Sequence, residues 1–196
     1  MTTDHVYLEA IDRFLQIFER ARQTELKEPT ATTLATIDGN RPVARVVLLR
    51  GVDPRGFMFF TNSHSDKGRQ LAKNPAAALC FYWDPLGEQI RVEGSVQQVG
   101  EDESNTYWQT RERESQVGAW ASLQSEVLSN RTVLTERFEQ YEQKFAGCEI
   151  ARPEHWYGYR IVPARIEFWK SCPHRLHQRI VYEFQHDGWK QYLLYP

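Results

Sequence analysis

Cysteine is scarce in this chain of 196 residues: Cys80, Cys148 and Cys172 are the only three, widely spaced and with no Cys-x-x-Cys pair. An odd count argues against a disulfide framework, and no zinc-ligand spacing appears, so no metal site is expected. Long apolar runs are missing too. The longest strongly apolar run free of charge, Pro75 to Trp83, falls far short of the roughly 20 residues that span a bilayer. Met1-Thr2-Thr3-Asp4-His5 lacks a basic stretch followed by an apolar one, so no secretory signal is read and a cytoplasmic location is expected. Neither charge dominates. With 24 basic against 26 acidic side chains, the net charge of −2 gives no whole-molecule attraction to nucleic acid or to an anionic membrane. Any anion bound here must be held by a local cluster. The two commonest nucleotide cradles, Gly-x-x-x-x-Gly-Lys-Ser/Thr and Gly-x-Gly-x-x-Gly, are also absent.

What is present is an ordinary globular composition, 41% hydrophobic and 26% charged, with aromatics raised to 13%. The length suits one domain, 1–196. Over 7–21, Leu8, Ile11, Phe14, Leu15, Phe18 and Ala21 recur at three- and four-residue steps, which predicts an amphipathic helix. The period then changes. Thr30–Ile37 and Pro42–Arg50 read as strands joined by an Asp38-Gly39 hairpin. A turn at 53–56 leads to a strand over 57–61, and Ser65 caps a short helix ending at Lys73. Strands follow at 76–83 and 89–99, then helices at 101–113 and 129–145. The last fifty residues return to strands at 156–161, 165–169, 179–184 and 189–194, with Asp187-Gly188 joining the last two. Closely spaced strands with turn chemistry, broken by helices, predict an α+β fold: an antiparallel barrel with helices packed outside.

Chemistry must come from individual groups. Arg45, Arg50, Arg91, Arg175 and Arg179 sit in or beside strands, where a charged side chain ordinarily faces water. Their recurrence near Thr61, Ser65, Lys67, Gln124 and Ser125 suggests a phosphate cradle of guanidinium forks with hydroxyl and amide donors.

In order along the chain come Arg45-Val-Val-Leu-Leu-Arg50, Phe59-Phe-Thr-Asn62, Ser65-Asp-Lys67, Gln89-Ile-Arg-Val-Glu-Gly94 and Ser115-Gln-Val-Gly-Ala-Trp120. Ser122-Leu-Gln-Ser125, Ile166-Glu-Phe-Trp169 and Arg175-Leu-His-Gln-Arg179 complete the series. Together they resemble the pyridoxamine 5′-phosphate oxidase family, flavin proteins with a split-barrel fold, over nearly the whole chain. The resemblance implies a homodimer with FMN held at the interface. It puts Arg45, Lys67, Thr61 and Ser125 on the FMN phosphate and lines the cofactor with Val46, Val47, Leu48, Leu49, Arg50 and Phe60. Gln89, Gln124, Trp169 and Arg179 would meet the isoalloxazine or ribityl chain. Arg50, Tyr107, Arg111 and Ser115 would hold the phosphate of the substrate, and Arg175, Leu176 and His177 would close over its ring, Arg175 and His177 as the catalytic pair. The implied reaction passes two electrons from C4′ of pyridoxamine or pyridoxine 5′-phosphate to the flavin and on to dioxygen, giving pyridoxal 5′-phosphate and hydrogen peroxide.

Several positions depart from the usual pattern of that family. Arg50 stands for Lys, Asp66 for Arg, Glu112 for Pro, Gln178 for Asp and Leu193 for Arg. Asp66 removes a positive charge beside Lys67, so weaker FMN affinity than typical is expected. Two other readings share the motifs: a related flavin oxidase acting on another substrate, such as a phenazine precursor, and a non-catalytic flavin- or pyridoxal-phosphate-binding protein.

Overall fold

The computed structural model describes residues 4–196. They divide into two compact units: one made of residues up to Phe59, Asn74–Gln97 and Arg160–Pro196, the other of Phe60–Lys73 and Gln98–Tyr159. Because the first unit takes three separate segments, no single cut in the chain separates them.

In the first unit, helix α1 (His5–Arg22) starts where the Asp4 carboxylate accepts the Val6 N–H at 2.9 Å and ends with Arg20 and Arg22 near its negative dipole end. Its buried face is Tyr7, Ala10, Ile11, Phe14, Ile17 and Ala21. Leu15, expected on that stripe, points to solvent because Ile17 takes the buried place. Phe14 drives the packing. Its ring meets Phe57, Phe81 and Trp83 with centroids 4.8, 5.2 and 6.0 Å apart. Each such aromatic, fully buried, contributes about 1.5–3 kcal/mol.

Among the described residues nine strands form one sheet: β1 (Ala31–Asp38), β2 (Arg41–Leu48), β3 (Gly51–Asp53), β4 (Gly56–Asn62), β5 (Ala76–Trp83), β6 (Glu88–Gln98), β7 (Trp156–Lys170), β8 (Gln178–Gln185) and β9 (Gly188–Leu193). The order is β2-β1-β5-β6-β7-β4-β3, with β8 added between β7 and β9. Every described register is antiparallel. A strand has only two edges, yet β7 has three neighbours, which its 15 residues allow by pairing with β8 over Arg165–Lys170 alone. The antiparallel pairing is what the strand pattern predicts, and the branch at β7 is a feature that pattern does not register. The expected break between 161 and 165 does not occur: β7 runs on through Pro163, although proline donates no ladder hydrogen bond. Gly56 turns β3 into β4 at φ +129°, and a Cβ there would lie 2.1 Å from the Ile161 carbonyl oxygen. Only glycine fits.

The second unit holds α2 (Asp66–Lys73), α3 (Glu101–Gln109), α4 (Arg113–Ala121) and α5 (Arg131–Lys144). The sequence predicts one helix over 101–113, whereas α3 stops at Gln109 and a separate α4 follows. Side chains compete for the carbonyls that would continue it. Thr110 Oγ1 donates to the Tyr107 carbonyl at 2.8 Å, and Gln116 Nε2 donates to that of Trp108 at 2.9 Å. Trp108, Val117, Ile150 and Trp156 form the core of this unit, with Phe138 and Tyr141 of α5 and Phe145 at its end packed against it. No described helix is long and apolar enough to cross a membrane.

Candidate active site

In the second unit, β4 ends by placing Thr61 and Asn62 ahead of α2. Ser65, fully buried, donates to the Asn62 carbonyl at 2.6 Å and accepts the Gly68 N–H at 3.3 Å, fixing the first turn of α2. Lys67 is thereby aimed back along the strand. Its Nζ donates to Thr61 Oγ1 at 3.1 Å, Gln124 Oε1 at 2.9 Å and Ser65 Oγ at 3.4 Å. Thr61 Oγ1 also lies 3.0 Å from Gln124 Oε1. Ser125 adopts a left-handed φ of +74° and accepts the Asp66 N–H at 3.1 Å. Four expected phosphate or ribityl contacts therefore gather around the start of α2. The Asp66 carboxylate pairs with Arg69 at 2.7 Å.

Thr61 and Gln124 line a cavity of about 280 Å³ together with Phe60, Arg111, Ser115 and Trp156. The Arg111 guanidinium lies 4.9 Å from the Trp156 ring centroid and donates to the Ser115 carbonyl at 3.0 Å. Tyr107 does not line this cavity. Its ring stacks on Phe60 at 4.0 Å, and Phe60 does. Since α3 ends at Gln109, Tyr107 and Arg111 are not one turn apart on a shared helix, as the sequence suggests; Arg111 belongs to the bend before α4. Beside the cavity, His155 stacks on His64 at 5.3 Å, and its Nε2 is buried with no hydrogen bond among the described residues. Burial, then the neighbouring His64, pushes the His155 pKa down.

In the first unit, a cavity of about 290 Å³ brings Gln89 of β6 and Trp169 of β7 together, with Gln178 of β8 and Arg13, Gln16 and Arg20 of α1. Glu88, almost fully buried, pairs with Arg20 at 2.9 Å and Lys170 at 3.6 Å. Across the β7–β8 ladder Trp169 stands opposite Arg179, and its ring lies 4.6 Å from that of His177. His177 Nδ1 accepts the Cys172 N–H at 3.2 Å, so a neutral ring carries its proton on Nε2. His174 and Arg175 both take positive φ, +58° and +60°, conformations that cost non-glycine residues energy and cluster at functional sites. Arg175 and Leu176 are exposed.

Arg45 lines neither cavity. On β2 its Nη1 donates to Thr36 Oγ1 and, at 3.5 Å, to the Leu34 carbonyl. Val47 and Leu49 point inward, Val46 is 66% exposed, Leu48 is half-buried and Arg50 is exposed. Sequence reasoning missed Arg13, Gln16 and Glu88. The first two look like the wet face of an amphipathic helix, and nothing in a β-strand marks a glutamate as buried.

The donor sets suit a flavin mononucleotide. An ammonium, two hydroxyls and a carboxamide at a helix start match a phosphate and its ribityl chain, while an indole beside amides matches a flat ring with N and O atoms on its edge.

Known proteins agree with this architecture. The profile described as "Pyridoxamine 5′-phosphate oxidase" matches residues 18–145, and that described as "Pyridoxine 5′-phosphate oxidase C-terminal dimerisation region" matches 156–196. A pyridoxine/pyridoxamine 5′-phosphate oxidase from Myxococcus xanthus is 53% identical over 95% of this chain and 91% of its own. Another from Alkalilimnicola ehrlichii is 49% identical over 96% and 97%. Among solved structures, PhzG from Burkholderia lata 383, in complex with tetrahydrophenazine-1-carboxylic acid, superposes with a TM-score of 0.88 at 33% identity, covering 96% of this chain and 92% of that one. With the two profiles together matching residues 18–145 and 156–196, and about half of the aligned residues shared with such relatives, the chain belongs to the pyridoxamine 5′-phosphate oxidase family.

Proposed function

We propose that this protein is an FMN-dependent oxidase that converts pyridoxamine or pyridoxine 5′-phosphate to pyridoxal 5′-phosphate, with dioxygen as electron acceptor and hydrogen peroxide as product. One observation carries the reading. Arg111 and Ser115 share a cavity with Thr61 and Gln124, so an anion-binding set meets the Lys67 cluster in a single hollow. A flavin enzyme acting on an uncharged substrate has no use for that second set, and a phosphate monoester, with its two negative charges, uses it most fully.

FMN, when bound, supplies the two-electron acceptor that dioxygen regenerates. Lys67, Thr61, Ser125 and Arg45 hold its phosphate; Gln89, Gln124, Trp169 and Arg179 meet its ring and ribityl chain; Val46, Val47, Leu48, Leu49, Arg50 and Phe60 line its surroundings. Arg50, Tyr107, Arg111 and Ser115 hold the substrate phosphate. Arg175 and Leu176 cover the substrate ring, and His177 offers its Nε2–H as a donor, since Nδ1 is already an acceptor. Orientation is the main source of rate on this reading. The two units act as one FMN-binding domain over 1–196, and the protein works as a homodimer whose flavin is shared between chains. The match of 156–196 to a dimerisation region supports that assembly. Three cysteines, all free, suit the reducing cytoplasm.

The test is to incubate the purified protein with FMN and each phosphorylated vitamer in air, following peroxide and the aldehyde product. Equal amounts of both are expected. Absence of peroxide from both vitamers contradicts the reading.

A further inference from the structure

Along the β7–β8 ladder, Arg179 belongs to a charge network whose other members no step above employs. Glu167 is central to it. Its side chain is 2% exposed, on a strand where its neighbours Ile166 and Phe168 are also buried. Such a carboxylate is tolerated only when fully paired. Oε2 accepts Arg165 at 2.7 Å and lies 3.7 Å from Arg91, while Oε1 accepts Arg179 Nε at 2.8 Å. Glu93 closes the group by pairing with Arg165 at 3.0 Å and with Arg91. Burial pushes the Glu167 carboxyl up, and the Arg179 and Arg165 guanidiniums more than reverse that, holding it below the ordinary carboxylate value.

For Arg179 the consequence is geometric. Glu167 takes Nε and the Tyr195 carbonyl takes Nη1 at 3.0 Å. Nη2 bonds nothing among the described residues, and the side chain is 26% exposed, so the fork is held from one side with one amine left outward. Arg165 and Arg91 keep Glu167 from moving with it. We infer that Glu167 is a positioning residue: through Arg179 it fixes the guanidinium donor that meets the flavin. The inference rests on the functional reading, which puts Arg179 on the cofactor.

The test is a double-mutant cycle on FMN affinity, read by quenching of flavin fluorescence on titration into apoprotein, with thermal unfolding followed in parallel. Glu167→Gln should weaken FMN binding about tenfold in the parent and by less than about twofold in the Arg179→Ala background, the non-additivity of residues acting as a unit. The flavin absorbance band should shift in the same way, whereas any loss of thermal stability should appear in both backgrounds. Should Glu167→Gln not fold, Glu167→Asp, which keeps the charge and shortens its reach, is read through the same cycle. Equal loss of affinity in both backgrounds, or no loss in either, overturns the inference. A parent protein that binds no FMN overturns the functional reading instead.

Discussion

Arg111, proposed to hold the substrate phosphate, is already fixed in place by its neighbours. The rings of Trp156 and Trp108, 4.9 and 5.6 Å away, cover its guanidinium, and the Ser115 carbonyl fixes one amine. A charge-assisted hydrogen bond held so is worth roughly 1.5–3 kcal/mol. Arg111→Ala should therefore lower kcat/KM for pyridoxine 5′-phosphate by about 10- to 100-fold, chiefly through KM, with FMN affinity nearly unchanged. Steady-state kinetics beside a flavin titration checks this. His155 carries a second expectation. Its folded pKa lies below its ordinary 6.5, so the unfolded chain binds the proton more readily. Stability from this group is complete above pH 6.5 and declines as pH falls through the lower folded value. Urea unfolding across that window should show the decline, and His155→Gln should flatten it.

At the scale of elements, the strands were largely legible in the sequence and the loops that carry chemistry were not. Alternation and turn chemistry locate β1, β2, β5 and β6 to within a residue or two, because each hairpin declares itself: Asp38-Gly39 and Asp187-Gly188 need left-handed or extended glycine, and Gly39 and Gly188 supply it at φ +60° and +125°. The α3–α4 break was illegible because it depends on Gln116 and Thr110 capturing carbonyls, a competition that propensity does not register. Lys67 and Gln124, 57 positions apart, were grouped by the recurrence of basic, hydroxyl and amide residues, and only the resemblance gave each a role. Glu167 was hidden by its context, since a charge between Ile166 and Phe168 looks outward-facing in an alternating strand. Within α4, Gly118 has nothing within 4 Å of where a Cβ would sit. Gly118→Ala should stabilise the protein by up to about 1 kcal/mol through helix propensity alone. A rise in Tm is the expected result, and a fall would show that the helix needs the glycine.

For the molecule as a whole, the exposed apolar side chains are informative. Val46, Leu176 and Leu193 are 66, 68 and 75% exposed, and the first two stand among residues assigned to the cofactor or the substrate ring. On the proposed homodimer with a shared site, the second chain covers what the first leaves open. Sedimentation should give a species of twice the 23.0 kDa chain mass, and Leu193→Asp, in the segment matching a dimerisation region, should shift it toward one chain and weaken FMN binding together. Oxidation of a phosphorylated ring on FMN is the function proposed for this protein. Its most direct measurement is anaerobic rapid mixing of the FMN-loaded protein with pyridoxine 5′-phosphate or with unphosphorylated pyridoxine, followed by flavin absorbance. The account predicts bleaching within one turnover by the phosphorylated compound and little by the other; equal bleaching by both, or none by either, would contradict it.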